Sequence, residues 1–117
     1  MRESIPLNPP VDLFGDDPFT TIVVTKYDDG NAAIYCLAES GDRGRISMNL
    51  PEAADRLDEN EYFVKNYAEG EQLYAVLVQR GILVPTGQSV HSGYVRLPIC
   101  RFNKEKCSVP SIEVPSF

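Results

Sequence analysis

Few side chains in this 117-residue chain are equipped for covalent or metal chemistry. There is one histidine, His91, and there are three cysteines, Cys36, Cys100 and Cys107. Structural zinc takes about four ligands, usually paired in spacings such as Cys-x₂-Cys. These four residues offer no such pair, so no metal site is expected. An odd cysteine count with no close pair and no leader segment points instead to reduced thiols in a cytosol. A Cys–His dyad from Cys36 or Cys100 with His91 is conceivable. However, Cys36 lies in Ala-Ala-Ile-Tyr-Cys-Leu-Ala and Cys100 in Arg-Leu-Pro-Ile-Cys-Arg-Phe, and both stretches read as strands. Free cysteine in such places is a small buried hydrophobe. His91 belongs to the most polar segment, Pro85-Thr86-Gly87-Gln88-Ser89-Val90-His91-Ser92-Gly93. That segment lacks the lysine and glycine spacing of a phosphate-cradling loop. It also has no nearby carboxylate to orient the imidazole for a serine nucleophile. It reads as a hairpin or connecting loop, with binding as the sharper alternative. No catalytic residue and no cofactor are expected.

The carboxylates say more. Asp and Glu number 17 against 11 Lys and Arg, a formal charge of −6. Residues 1–71 hold 15 acids and 6 bases, and residues 72–117 hold 2 acids and 5 bases, so the split is −9 against +3. Asp16-Asp17 and Asp28-Asp29 have the composition of turns. No Asp-x-Asp-x-Asp-Gly order marks a calcium loop. Five acids crowd into residues 52–61, where a turn would accept neutral residues equally well. A solvated surface accounts for them. The alternative is a surface that docks on a basic partner, because complementary potential steers association and selects partners. On that reading the partner-binding residues are Asp28, Asp29, Asp55, Asp58, Glu59 and Glu61. The same acidity argues against direct nucleic-acid binding, which favours a basic face. No apolar run approaches the ~18–20 residues of a membrane span. The N-terminus has no apolar core of a secretory signal, so a cytoplasmic protein is expected.

The elements that would carry these residues follow from periodicity. Residues 1–19 are expected as an extended N-terminal arm and turn, with Pro6, Pro9 and Pro10 favouring extension. A single domain is expected over 20–103. Thr20 to Tyr27 is almost wholly β-branched or aromatic, and Asp28-Asp29-Gly30-Asn31 is a hairpin turn leading to a strand at Ala32–Ala38. Arg45 to Leu50 alternates, which places Ile46, Met48 and Leu50 inward and Ser47 and Asn49 outward. Tyr62–Lys65 reads as a fourth strand. The spacing of Leu73, Val76, Leu77 and Arg80 predicts a helix over Tyr67–Arg80, with Asn66 and Glu69 as a capping box and Gly81 closing it. Gly93–Phe102 is a late strand, where Pro98 demands an edge or a bulge. Residues 104–117 read as a C-terminal tail open to disorder. The expected fold is α+β: an antiparallel sheet of four to five strands, a meander plus a late strand, with one helix packed on one face.

The ordered set Gly30-Asn31-Ala32-Ala33-Ile34, Asn49-Leu50-Pro51, Tyr62-Phe63-Val64, Pro85-Thr86-Gly87, Ser92-Gly93-Tyr94 and Leu97-Pro98-Ile99 resembles a family of small uncharacterised proteins. That family is carried on bacterial mobile genetic elements: plasmids, integrative elements and phages. The resemblance covers about residues 20–103. It implies a mobile-element context and supplies no activity. Size, acidity and resemblance together favour a non-enzymatic protein-binding module. One form of this is an inhibitor of a host defence complex of CRISPR or restriction type, docking on its nucleic-acid-binding surface. The alternatives are an accessory protein that dimerises through a sheet edge, and a small enzyme centred on His91 with Cys100 or Ser92.

Overall fold

The computed structural model describes residues 2–13 and 15–108. Among these residues the fold is α+β, with antiparallel strands in two four-stranded sheets and one α-helix. The first sheet has the order β1-β2-β3-β4, formed by Glu3–Val11, Phe19–Lys26, Ala32–Ala38 and Arg43–Arg45. Its β2–β3 hairpin forms where the sequence pattern places it. Tyr27 N–H donates to the Asn31 carbonyl at 2.8 Å, and Gly30 takes φ +89°, which costs a glycine little. The second sheet has the order β5-β6-β8-β7, formed by Ser47–Met48, Glu61–Val64, Val95–Phe102 and Leu83–Ser92.

The chain passes from one sheet to the other at Ile46. Tyr35 pairs with Arg45 in the first sheet, and Ser47 pairs with Val64 in the second. Between them the Ile46 carbonyl accepts from Lys65 N–H at 2.8 Å. This crossing overturns the alternation expected from Arg45 to Leu50. Ile46 and Ser47 are both buried, and Met48 is only half-buried. A strand that changes sheets turns about its axis, so inward and outward no longer follow a period of two. Ser47 becomes the one buried polar residue among those described. Its hydroxyl accepts from Ile34 N–H at 3.0 Å, sits 3.3 Å from the Ile34 carbonyl and 2.7 Å from the Tyr27 hydroxyl. It thereby serves the backbone groups of Ile34 where β4 has left β3.

Three further expectations are corrected. The N-terminal arm is strand β1, paired antiparallel to β2 with Ile5 opposite Ile22. Ile5, Leu7 and Val11 are core residues, so the sheet runs through the boundary expected at residue 19. The prolines are compatible because β1 is an edge strand, and its register shifts between Pro6 and Val11. The polar segment expected as a loop at 85–94 is most of β7, which forms a long hairpin with β8. A register shift between Pro85 and Ser89 lets its Pro and Gly into a strand. Pro98 lies beyond Phe63–Ile99, the last pair between β6 and β8, so one side of β8 is open where an N–H is missing. The tail expected from residue 104 begins as a 3-10 helix, Lys104–Cys107, with Cys107 buried. The disorder expected further on falls on residues 109–117, which lie outside the described residues.

The helix is α1, Glu71–Gln79, shorter than expected at its N-terminal end. The Asn66–Glu69 capping box does not form. Glu69 instead pairs with Lys65, and Ala68–Gly70 makes a separate 3-10 turn with Ala68 at φ +53°. The C-terminus is as the glycine implies. Ile82 N–H donates to the Leu77 carbonyl and Gly81 N–H to that of Val78, with Gly81 at φ +77°, a Schellman closure.

Two apolar clusters hold the layers together. In the larger, Leu73 and Leu77 of α1 meet Ile22, Ile34, Cys36, Ile46 and Val64, together with Ile5, Leu7 and Val11 of β1. Each such side chain contributes roughly 1.5–3 kcal/mol on burial. Gly44 of β4 lets this layer close, since a Cβ there would stand 2.7 Å from Phe19 Cζ and 3.0 Å from Leu73 Cδ2. The smaller cluster lies on the other face of the second sheet. Phe63, Val90, Leu97 and Ile99 pack there beneath Met48, Leu50, Ala53 and Leu57.

Candidate functional site

The second cluster raises the walls of a groove of about 600 Å³. Met48, Leu50, Ala54, Leu57 and Phe63 supply apolar lining, and Asp58, Glu59 and Glu61 supply acidic lining. Pro51 starts the 3-10 helix Pro51–Arg56, which brings Leu50 and Leu57 back over the sheet. The chain then turns sharply through Asn60 at φ +67°, a conformation asparagine tolerates better than most residues. Glu61 closes this turn from within. Its Oε1 accepts from Asp58 N–H at 3.0 Å, while Glu61 N–H donates to the Asp58 carbonyl at 3.1 Å. Asp58 and Glu59 are left exposed, with no hydrogen bond from either side chain among the described residues.

The β2–β3 turn forms the facing wall through Gly30 and Asn31. An amide–carboxylate network ties it down. Asn49 Nδ2 donates to Asp29 Oδ2 at 2.9 Å, Asn31 Nδ2 donates to Asn49 Oδ1 at 3.1 Å, and Asn31 N–H donates to Asp29 Oδ1 at 3.0 Å. The Asn49 amide, followed by the Asn31 N–H, holds the exposed Asp29 carboxyl below its ordinary value of 3.8. Both walls are therefore held in place by the chain's own hydrogen bonds. Lys26 also lines the groove and is the one cation among its described lining residues.

Of the six acids expected to bind a partner, the structure brings Asp58, Glu59 and Glu61 into this groove and places Asp29 behind its opposite wall. Asp28 and Asp55 are exposed nearby, at the hairpin turn and on the 3-10 helix, and line no part of it. Asn31, Asn49 and the apolar lining were not singled out as site residues. The available signal was Asn31 ending an Asp-Asp-Gly-Asn turn, where a second amide is needed to anchor the tip.

The residues weighed for catalysis are not assembled. His91 is exposed on β7, and its Nε2 lies 3.1 Å from Arg96 Nη2 across the hairpin. Ser92 follows it on a strand and so faces the other side. Cys100 is buried in the larger cluster beside Tyr74, and loss of solvent pushes its thiol up to about 11. All three cysteines are free and buried. Burial, reinforced by nearby Cys107, pushes Cys36 up to about 12, and burial pushes Cys107 to about 11. Thiols so displaced are poor nucleophiles at neutral pH. Among the described residues no three His, Cys, Asp or Glu side chains gather as a metal-ligand set, and no helix is long and apolar enough to cross a membrane.

Comparison of the chain with known proteins finds no matching protein-family model, no similar curated protein and no similar solved structure.

Proposed function

We propose that the protein is a small non-enzymatic binding module that docks the acidic rim of its groove onto a basic element of a partner protein. The observation that carries this reading is the convergence of Asp58, Glu59 and Glu61 with a tethered hairpin tip around an apolar lining. Apolar contact inside a charged rim is the usual anatomy of a protein interface. Exposed carboxylates at the rim act mainly on association rate and partner choice. Resemblance to mobile-element proteins motivates the finer proposal: a cytoplasmic inhibitor that covers the basic nucleic-acid-binding surface of a host defence complex. That part rests on the sequence motifs alone.

The test is capture from a bacterial lysate by the wild-type chain and by a variant carrying Asp58→Lys, Glu59→Lys and Glu61→Gln, with mass spectrometry of both eluates. Glutamine keeps an acceptor for Asp58 N–H. A partner held through the groove is captured by the wild type and lost from the variant. Its affinity also falls with added salt, since exposed charges are screened beyond ~8 Å at physiological ionic strength. Equal capture by both chains, insensitive to salt, rejects the groove.

A further inference from the structure

The β7–β8 hairpin stands apart from the rest of the molecule in two ways. From Gln72 to Lys104 the chain contains no Asp or Glu, although it has 17 of them elsewhere, and this stretch includes Arg80, Arg96, Arg101 and Lys104. The hairpin tip also carries Tyr94. Among the described residues it is the one large apolar side chain fully exposed, at 108%. The turn enforces that exposure. Ser92 pairs with Val95, which leaves a two-residue loop of Gly93 and Tyr94. Gly93 alone takes a positive φ, +62°, the pattern of a type II′ turn. Such a turn accepts a small polar residue in the second position. Tyrosine there leaves an aromatic ring in water with nothing among the described residues to cover it. One pair further along the hairpin stand His91 and Arg96, in contact across the strands. The tip is therefore an aromatic anchor with a cationic base, the residue types enriched in interface hot spots.

The same molecule holds the complementary shape. The groove offers an apolar lining with Asp58, Glu59 and Glu61 around it. The hairpin and the groove are built on one cluster: Val90, Val95 and Leu97 come from the hairpin, and Met48, Leu50, Leu57 and Phe63 from the groove. They lie towards opposite ends of β8, since Glu61 stands opposite Arg101 while the tip caps the Ser92–Val95 pair. Two copies can then engage reciprocally about a two-fold axis, each tip in the other's groove, which closes the assembly at a dimer.

We propose that the groove's basic partner is the Tyr94 hairpin tip of a second copy of this chain, with Arg96 facing the Asp58–Glu59–Glu61 rim. This rests on the reading of the groove as a docking site for a basic element. The dimer holds both sites closed, so an outside partner competes with self-association.

The test is sedimentation velocity of the full chain, across a concentration range from about 1 μM to about 1 mM. Reversible dimerisation is expected. It weakens at least about tenfold in Tyr94→Ala and in Arg96→Glu, as for a hot-spot anchor. Combining Arg96→Glu with Glu59→Lys restores it, because the exchanged charges again face one another across the interface. A monomer throughout overturns the proposal, as does a dimer that Tyr94→Ala leaves unchanged. A second measurement separates this outcome from the fate of the groove itself. A synthetic Tyr-Arg-Arg-Arg peptide is titrated into isotopically labelled Tyr94→Ala protein. If the wild-type chain stays monomeric, shifts of the Asn31, Asn49 and Glu59 amides would keep the groove and reject the second copy, whereas shifts alongside a wild-type dimer support both. No shifts and no dimer reject both.

Discussion

Replacing Ser47 with Ala removes one hydroxyl from the place where the chain changes sheets, and its effect can be worked from the hydrogen bonds there. Ile34 N–H loses its 3.0 Å acceptor, and the Ile34 carbonyl loses a donor at 3.3 Å. β4 cannot move in to replace them, because Ile46 is engaged with Lys65 in the second sheet. Ser47 is 3% exposed, so water has little access. An orphaned buried backbone donor costs about 1–3 kcal/mol. Tyr27 also loses its 2.7 Å partner, but its ring is only half-buried and its hydroxyl can turn to water. The expected loss is about 2 kcal/mol, and for a domain of this size that lowers Tm by about 8 °C. Urea unfolding followed by circular dichroism measures it, with m unchanged because the folded surface is unchanged. Tyr27→Phe alone should cost less than about 1 kcal/mol, and the two changes together should cost less than their sum, since they share a bond. A Ser47→Ala loss below about half a kcal/mol, in the range of ordinary surface changes, would refute the claim that this hydroxyl substitutes for a ladder partner.

Leu7→Ala should destabilise by about 2–5 kcal/mol, as Leu77→Ala should, because both side chains lie in the larger cluster. Thermal or urea unfolding checks this, and a negligible effect at Leu7 would mean that β1 is not part of the core. In native protein all three thiols should react with a disulfide reagent at pH 8 only as fast as the chain opens, and without delay in denaturant. Their thiol values are raised in the fold from 9.0 to about 12 at Cys36 and about 11 at Cys100 and Cys107. The unfolded chain therefore releases these protons first, and stability should fall as pH rises from about 9 towards 12, as seen in urea midpoints across that range. Asn49→Ala should let the Asp29 carboxyl rise towards its ordinary value, read by NMR titration of its side chain, because the Asn49 amide is the main cause of its depression.

Local chemistry was sufficient for several elements. The β-branched run ending in Asp-Asp-Gly-Asn specified the β2–β3 hairpin, the spacing of Leu73 and Leu77 specified the buried face of α1, and Gly81 specified its end. Each depends on residues within one or two turns of one another. The burial of Cys36 and Cys100 followed from their place in apolar strands. The crowding of acids at residues 52–61 was likewise plain, although only some of them share a surface. Tertiary structure decided the rest. The division into two sheets depends on Ile46 meeting Lys65 and Ser47 meeting Val64, pairings between residues 17 to 19 positions apart that no local period records. That crossing buried Ser47 against its polarity, because Ile34 needed a partner that only a distant hydroxyl could supply. The prolines of β1 reported a break in regular hydrogen bonding. They could not report that the strand lies at an edge, where such a break does little harm. The groove arises in the same way, since Asn31 and Asn49 are separated by 18 residues and meet only once both sheets have formed. Local periodicity records which face of an element is apolar. Which two elements share that face depends on long-range closure, and the side chains themselves do not encode it within any short window.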